Sequence, residues 1–284
     1  QGYPVSHQRI EVSGYPTTFR FILSRLSISA PVFSSSEVEM KWNWRGSRVI
    51  AEVKPWNLDK LWIDLSGNHH ISFETVKGNY RYTGAIDHLI LEMELFDDGL
   101  PEQTSVVAKG LVFTLDKTNQ KFTTRNLKLM AERIFPAAVS SKTPTFDMKL
   151  TVEHFNLPMT QTLPLGHTVK HLGASIQILG KLHRPFNVVA LTKWRDKGGI
   201  IEFEFIEARY GPLNLLLNGT LALDENLQIL AAFTAKVEGF LTAIDQFKQA
   251  RVIQPRDAAL AKVMFGIVSK LSADNELPTI SLPL

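Results

Sequence analysis

The segment GPLNLLLNGTLALDENLQILAAFTAKVEG, residues 211–239, constrains the fold most strongly. Apolar residues occupy one parity on both sides of the turn signal Asp224-Glu225-Asn226. Such alternation is typical of a strand with one buried face, because successive side chains point to opposite sides of a sheet. The segment predicts a hairpin of two long strands whose apolar residues share a face: Leu213, Leu215, Leu217, Leu221 and Leu223, then Leu227, Ile229, Ala231, Phe233, Ala235 and Val237.

The same alternation recurs along most of the chain. EVEMKWNWR, residues 37–45, alternates valine, methionine and tryptophan with polar residues, and GIIEFEF, residues 199–205, alternates isoleucine and phenylalanine with glutamate. A change of parity at Phe205-Ile206 predicts a β-bulge or a bend. We expect Asp196-Lys197-Gly198-Gly199 to turn the chain back between two strands.

Helical periodicity is confined to two segments near the C-terminus. Phe240, Leu241, Ile244 and Phe247 fit one helix. A second begins near Pro255, with the apolar residues Leu260, Val263, Met264, Ile267, Val268 and Leu271. Each helix has one apolar stripe, so we expect both to lie against the sheet.

These patterns predict a mainly β protein of the α+β class. It would contain a large curved antiparallel sheet, or two sheets, and two amphipathic helices near the C-terminus. The proline-broken stretch from Leu157 to Leu165 is the expected boundary between an N-terminal β-rich half, residues 1–156, and a C-terminal half, residues 157–284, with a sheet and the two helices. One continuous domain is the alternative.

Composition narrows the functional classes. The 284 residues carry 31 Lys and Arg against 28 Asp and Glu, a net charge of +3, without basic runs, so nucleic acid is not an expected partner. The balance is compatible with contact at an anionic membrane surface. Cysteine is absent from the sequence, which excludes disulfides and thiolate chemistry.

The chain begins Gln1-Gly2-Tyr3 without a methionine, so we expect an N-terminal segment to have been processed or cut away, and a signal peptide or membrane anchor is one candidate for it. Within the sequence, no run approaches the roughly 20 apolar residues of a transmembrane helix.

Candidate catalytic groups are few. Histidines cluster at His69-His70 and at His167-x-x-x-His171; the latter spacing suits a metal pair on a helix, but it lies where a strand pattern begins. Glu92 and Glu94 lie on the same face of a predicted strand, and a glycosidase could use such a pair of carboxylates. Carboxylates on one face are, however, typical of the solvated side of a sheet. We therefore predict no catalytic residues, no metal site and no cofactor, and a protein that is not an enzyme.

Several short motifs follow one another in a set order: Gly14-Tyr15-Pro16, Trp194-Arg195 before Gly198-Gly199, Tyr210-Gly211-Pro212-Leu213, Gly219 before Leu221 and Asp224, the two late helices and the closing LPTISLPL. Together they resemble the proteobacterial domain-of-unknown-function family twenty-one twenty-five over most of the chain. The resemblance implies a periplasmic protein of the Gram-negative envelope, with an N-terminal signal or an inner-membrane tether. The arrangement from Tyr210 to Phe247 is also similar to units of AsmA-like envelope proteins, whose apolar concave sheets are associated with lipid passage.

We expect the protein to bind or transfer a lipid or another hydrophobic molecule, such as an acyl chain, a sterol or a hopanoid-like molecule, in an apolar groove. Such a groove needs few polar contacts, because each buried methylene contributes about 0.8 kcal/mol. The predicted ligand-binding residues are Phe203, Phe205, Leu213, Leu215, Leu217, Leu221, Leu223, Ile229 and Phe233, with Phe240, Ile244 and Phe247 as a lid.

The alternative is a non-catalytic envelope scaffold or interaction protein, in which the same face is a fully packed core. Alternation looks identical in the two cases. A continuous apolar cavity would favour ligand binding, and close packing would favour the scaffold. The expected partners are accordingly a hydrophobic small molecule, a membrane surface and an envelope protein.

Overall fold

A computed structural model describes residues 3–29, 33–35, 38–75, 78–135, 140, 142–158, 163–181, 188–268 and 279–283. The strands up to the middle of the chain are β1 (Val5–Ser6), β2 (Arg9–Ser13), β3 (Phe19–Ser29), β4 (Phe33–Ser35), β5 (Val38–Lys54), β6 (Asn57–Asp64), β7 (Gly67–Thr75), β8 (Gly78–Leu95), β9 (Pro101–Leu115), β10 (Gln120–Arg133) and β11 (Pro144–Asn156). The remaining elements are β12 (Thr168–Leu179), α1 (Val188–Asp196), β13 (Ile200–Tyr210), β14 (Leu213–Leu223), β15 (Ile229–Glu238), α2 (Phe240–Gln249), α3 (Pro255–Val268) and β16 (Thr279–Pro283).

The described strand pairs are antiparallel, and the predicted mainly β class is confirmed. Contacts divide the chain into two compact units, residues 1–130 with 154–160 and residues 131–153 with 161–284. In the first unit the strand order is β1-β3-β5-β6-β8-β9-β10, with β2, β4 and β7 pairing to its members. In the second unit it is β11-β12-β13-β14-β15-β16. The division into halves at residues 156 and 157 stays a prediction.

The long strands of the first unit change the parity of their apolar residues midway. In β5, Trp42 and Trp44 have one parity, whereas Val49 and Ala51 have the other, although the register with β3 is continuous. The neighbouring β3 has a left-handed residue, Arg25 (φ 50°), near the same level of the sheet. A left-handed residue interrupts regular alternation, as it does in bulges. The alternation seen in EVEMKWNWR is thus only the first part of one 17-residue strand, β5.

His69 of β7 lies in the core of the first unit. The residue is 2% exposed, and its ring centroid lies 5.8 Å from that of Trp44 and 6.2 Å from that of Phe113. The indole Nε1 of Trp44 donates a hydrogen bond to His69 Nδ1 at 3.3 Å, so the neutral ring carries its proton on Nε2. Burial lowers the pKa of His69, and the nearby Leu65 carbonyl offsets part of this effect.

The helix α1 corrects one expectation, because Asp196 ends this helix and Lys197-Gly198-Gly199 connects the helix, not a strand, to β13. Trp194 is buried, and its Nε1 donates to the carbonyl of Leu179 at 2.8 Å. Gly198 (φ 76°) takes the left-handed conformation that ends many helices.

The hairpin between β14 and β15 turns as predicted at Asp224. Its carboxylate Oδ1 accepts hydrogen bonds from the backbone N–H groups of Asn226 (2.8 Å) and Gln228 (2.7 Å). Such Asx turns compensate backbone donors that the strands leave unpaired. This turn fixes which residues of β14 and β15 lie opposite each other.

The helix α2 packs on one end of β14 and β15. Gly239 (φ 74°) lets the chain leave β15 close to Pro212, whose carbonyl oxygen would collide with a β-carbon at position 239. Phe240 and Ile244 are buried and contact Leu213 and Val237. The prediction that this helix lies against the sheet is confirmed.

The same prediction is wrong for α3. The residues that pack into the cluster with α2 are Ala258, Ala261 and Phe265. The expected contact residues are exposed on the opposite side of the helix: Leu260, Val263, Met264 and Ile267. Small alanine side chains allow two helices to approach closely. The larger apolar side chains on the exposed side of α3 would keep the helices further apart. The side chain of Val268 and residue Leu271 lie outside the described part of the chain.

The packing of the helix pair predicts different costs for the same substitution at two isoleucines. Ile244 in α2 is 7% exposed and Ile267 in α3 is 79% exposed. Ile244→Ala should lower the free energy of unfolding by about 2–5 kcal/mol, because it leaves a cavity. Ile267→Ala should change it by less than about 0.5 kcal/mol. Urea unfolding of both variants tests this, and equal losses would contradict the assignment of the buried face.

His69 predicts a pH dependence of stability. Its folded-state pKa lies below the ordinary value of 6.5, so the unfolded chain binds a proton that the folded chain does not. The free energy of unfolding should therefore fall as pH decreases below about 6.5, by at most about 1.4 kcal/mol per pH unit from this group. His69→Gln should flatten the slope between pH 7 and 5, while His70→Gln, at the exposed neighbour, should keep it. An unchanged slope in His69→Gln would refute the assignment.

Candidate functional site

The pairing of β13, β14 and β15 places their apolar residues on one side of the sheet. Leu217 lies opposite Ile206 on β13 and Ala235 on β15, and Leu221 lies opposite Ile201 and Ala231. Directly opposed residues of antiparallel strands point to the same face. This surface is termed the apolar face and comprises Ile201, Phe203, Ile206, Ala208, Leu213, Leu215, Leu217, Leu221, Leu223, Ile229, Ala231, Phe233, Ala235 and Val237.

The apolar face continues onto β12. Leu172 lies opposite Ala208, and Ile176 lies opposite Phe203. The face therefore extends across four adjacent strands. It includes eight of the predicted ligand-binding residues: Phe203, Leu213, Leu215, Leu217, Leu221, Leu223, Ile229 and Phe233.

Phe205 does not share this face. The predicted bulge is present, because the register of β13 shifts between Phe203 and Ile206 against β14. Against β12, Phe205 pairs with Ser175, whose hydroxyl donates to Glu204. The extra residue at the bulge thus places Phe205 on the polar side of the sheet. The parity change in the sequence signals the bulge but does not say to which side Phe205 turns.

The residues of the apolar face are half-buried along most of its length. All five of its β14 leucines have intermediate exposure, Ala235 is buried, and Ile229 is 67% exposed. Inward residues of a packed sandwich would be enclosed by the facing sheet. Neighbouring side chains therefore cover the described part of the apolar face only partly.

Two phenylalanines lie together near the middle of the apolar face. The ring centroids of Phe203 and Phe233 are 5.3 Å apart. Phe233 lies opposite Gly219, where a β-carbon would approach the Phe233 ring to 2.6 Å and also collide with the Ala232 carbonyl. Gly219 thus provides the space that the Phe233 ring occupies.

The predicted lid residues have a structural role at one end of this face. Phe240 and Ile244 belong to the buried cluster with Leu213, Val237 and Phe265, and Phe247 is half-buried in α2. At this end the hydroxyl of Tyr210 donates to the Gly166 carbonyl at 2.7 Å, and burial raises the pKa of Tyr210.

The opposite face of the same strands is polar. Glu204 accepts hydrogen bonds from Ser175 Oγ (2.6 Å) and Gln177 Nε2 (2.9 Å), and His171 Nε2 lies 2.6 Å from Glu207 Oε1. A shallow, open cavity of about 490 Å³ is lined mainly from this side, by Glu202, Glu204, Asn218, Thr220, Ala232 and Thr234, together with Phe203 and Phe233 of the apolar face and Gly219 between them. The two faces therefore differ sharply in the ligands they could contact.

The candidate catalytic groups remain separate in the structure. His69 is part of the core, and His171 pairs with a carboxylate of the neighbouring strand. Glu94 forms an ion pair with Lys60 at 3.0 Å, and both side chains are partly exposed. Within the described ranges, no group of three or more potential ligands could hold a metal ion. None of the helices described combines the length and apolar character needed to cross a bilayer.

Comparison with known proteins gives one finding. A family model described as "Uncharacterized protein conserved in bacteria (DUF2125)" matches residues 1–284. No curated protein and no solved structure matches the chain significantly. The likeness to AsmA-like proteins stays a prediction.

The packing around Gly219 predicts a position-specific glycine requirement. Gly219→Ala should lower the free energy of unfolding by about 1–3 kcal/mol, because the new β-carbon overlaps the Ala232 carbonyl and the Phe233 ring. Gly266→Ala in α3 should be neutral or stabilising by up to about 1 kcal/mol, since a β-carbon at position 266 would have no neighbouring atom within 4 Å. Thermal unfolding checks both; a neutral Gly219→Ala would contradict the described packing.

Proposed function

The chain belongs to the DUF2125 family of uncharacterized bacterial proteins, and we propose that it binds a lipid or another hydrophobic molecule on the apolar face. The observation that carries the proposal is the partial burial of the β14 leucines. A broad apolar surface of this kind favours an apolar occupant, because contact removes surface of both partners from water.

The two-sided character of the sheet supports the same surface. Leu216, between Leu215 and Leu217, lies opposite Glu207 and Lys236 on the polar side. A hydrophobic ligand on that side would desolvate charged groups, which costs free energy. On the apolar side it would contact leucine, isoleucine and phenylalanine and gain about 0.8 kcal/mol for each methylene buried.

The helix pair supports a direction for the ligand along the face. The cluster of α2 covers the end at Leu213 and Val237. The other end, near Leu223 and Ile229, is more exposed. We infer that a ligand enters from the exposed end and extends toward α2. Transfer between membranes, a periplasmic location and an envelope protein partner stay predictions.

Native mass spectrometry tests the proposal directly. The protein would be purified without detergent from a Gram-negative host that supplies its own lipids, and bound molecules would be extracted and identified. We expect a stoichiometric lipid that recurs between preparations. A ligand-free mass, together with no binding of a fluorescent fatty acid at micromolar concentration, would overturn the proposal.

Two neighbouring leucines provide a matched pair of variants. Leu217→Glu places a carboxylate on the apolar face and should lower fatty-acid affinity at least tenfold, because a charge cannot be buried there unpaired. Leu216→Glu alters the polar face, where Leu216 is 45% exposed, and should leave affinity unchanged.

Circular dichroism and thermal unfolding accompany these measurements. If Leu217→Glu unfolds the chain, Leu221→Gln is the milder variant of the same face. Unfolding of both variants, with Leu216→Glu folded, would identify the face as a packed core and contradict ligand binding.

A further inference from the structure

A second apolar surface lies on α3, apart from the apolar face. It consists of Leu260, Val263, Met264 and Ile267 and is termed the α3 stripe. These side chains are between 58% and 79% exposed. Their spacing, i, i+3, i+4 and i+7, places them on one side of the helix.

The α3 stripe is not needed to hold the helix in place. Ala258, Ala261 and Phe265 already pack into the cluster with α2, and Lys262 Nζ contacts Asp245 Oδ2 at 2.6 Å. At 100° per residue, the side chains of these packed alanines and Phe265 point away from the stripe. A helix that is apolar on two opposite sides has a second surface available for another partner.

Basic side chains accompany the stripe. Arg256 precedes Leu260 by four residues, so both lie on the same side of α3. Asp257, three residues before Leu260, also lies beside the stripe, so the arginines at 251 and 256 leave one net positive charge there. Arg251 is exposed in the preceding turn, and neither arginine has an ion pair within the described part of the chain. Asp245 is neutralised by Lys262 and Lys248, and its hydrogen bond with Lys262 lowers the pKa of the Asp245 carboxyl.

We propose that the α3 stripe docks on the surface of an anionic lipid bilayer, with Arg251 and Arg256 at the headgroups. Apolar side chains flanked by cations match the two layers of such a surface, the acyl boundary and the anionic headgroups. The helix has 14 residues, or about 21 Å, which is shorter than the roughly 30 Å hydrocarbon core, so it lies along the interface. This inference does not depend on ligand binding at the apolar face.

The size of the stripe favours a bilayer over a second copy of the chain. Four side chains with these exposures offer roughly 450 Å², against about 800 Å² per partner in a standard protein interface. A membrane imposes no such minimum, because insertion of a few apolar side chains adds to electrostatic attraction.

Vesicle cosedimentation tests the docking. The probe is vesicles of phosphatidylethanolamine and phosphatidylglycerol, compared with phosphatidylcholine vesicles. The double variant Leu260→Gln, Ile267→Gln should bind the anionic vesicles at least tenfold more weakly than the wild type. The matched control Val188→Gln, Val189→Gln alters two exposed valines of α1, 66% and 59% exposed, and should bind as the wild type does.

The arginines are tested by a second double variant. Arg251→Gln, Arg256→Gln should weaken binding to anionic vesicles about fivefold per charge removed. The same variant should bind neutral vesicles no more weakly than the wild type. Raising the salt concentration should reduce the difference on anionic vesicles, because exposed charges are screened.

Three outcomes would overturn the docking proposal. In the first, the wild type binds neither the anionic nor the neutral vesicles. In the second, the stripe variant binds anionic vesicles as well as the wild type does. In the third, the stripe instead mediates self-association, which Leu260→Gln, Ile267→Gln abolishes. Fatty-acid binding without vesicles is measured in parallel and should be equal in wild type and stripe variant. A failure of vesicle binding is thereby distinguished from a failure of the proposed ligand site.

Discussion

The antiparallel register of β13, β14 and β15 is the constraint on which the second unit depends. It aligns Leu217 with Ile206 and Ala235, and every second residue of β14 and β15 follows the same alignment. A slip of one residue would move the leucines of β14 to the side of Glu207 and Lys236. The Asx turn at Asp224 fixes the register at one end of the hairpin, and the contacts of α2 with Leu213 and Val237 fix it at the other.

The register makes one face apolar, but burial of that face depends on what packs against it. The helix pair supplies a buried cluster at one end, while the β14 leucines remain half-buried. The two exposed apolar surfaces of the unit have different surroundings. The apolar face is formed by strands, whereas the α3 stripe is formed by a helix and begins beside the cationic side chain of Arg256. A hydrophobic molecule suits the first, and an anionic bilayer suits the second.

The sequence predicted the elements whose signal is a long period of two. The hairpin, its turn at Asp224 and the bulge near Phe205 follow from alternation and turn chemistry. The helix α1 was missed because its nine residues lie between strand patterns; its signals are Lys193 and Arg195 in the last turn and the following glycines. Periodicity also did not identify the packed side of α3, because that helix has apolar residues on two sides and only its tertiary contacts choose between them.

The missed helix bears on the candidate site. Arg195 of α1 donates through Nη1 to the carbonyls of Asp224 (2.9 Å) and Glu225 (2.7 Å), so α1 is tied to the hairpin turn. At the other end, α2 is anchored on Leu213 and Val237. Both ends of β14 are thus held by helices, and the span around Leu217 and Leu221 lies between two fixed points. A surface held in this way needs no further ordering, and this would reduce the cost of the ligand binding proposed for it.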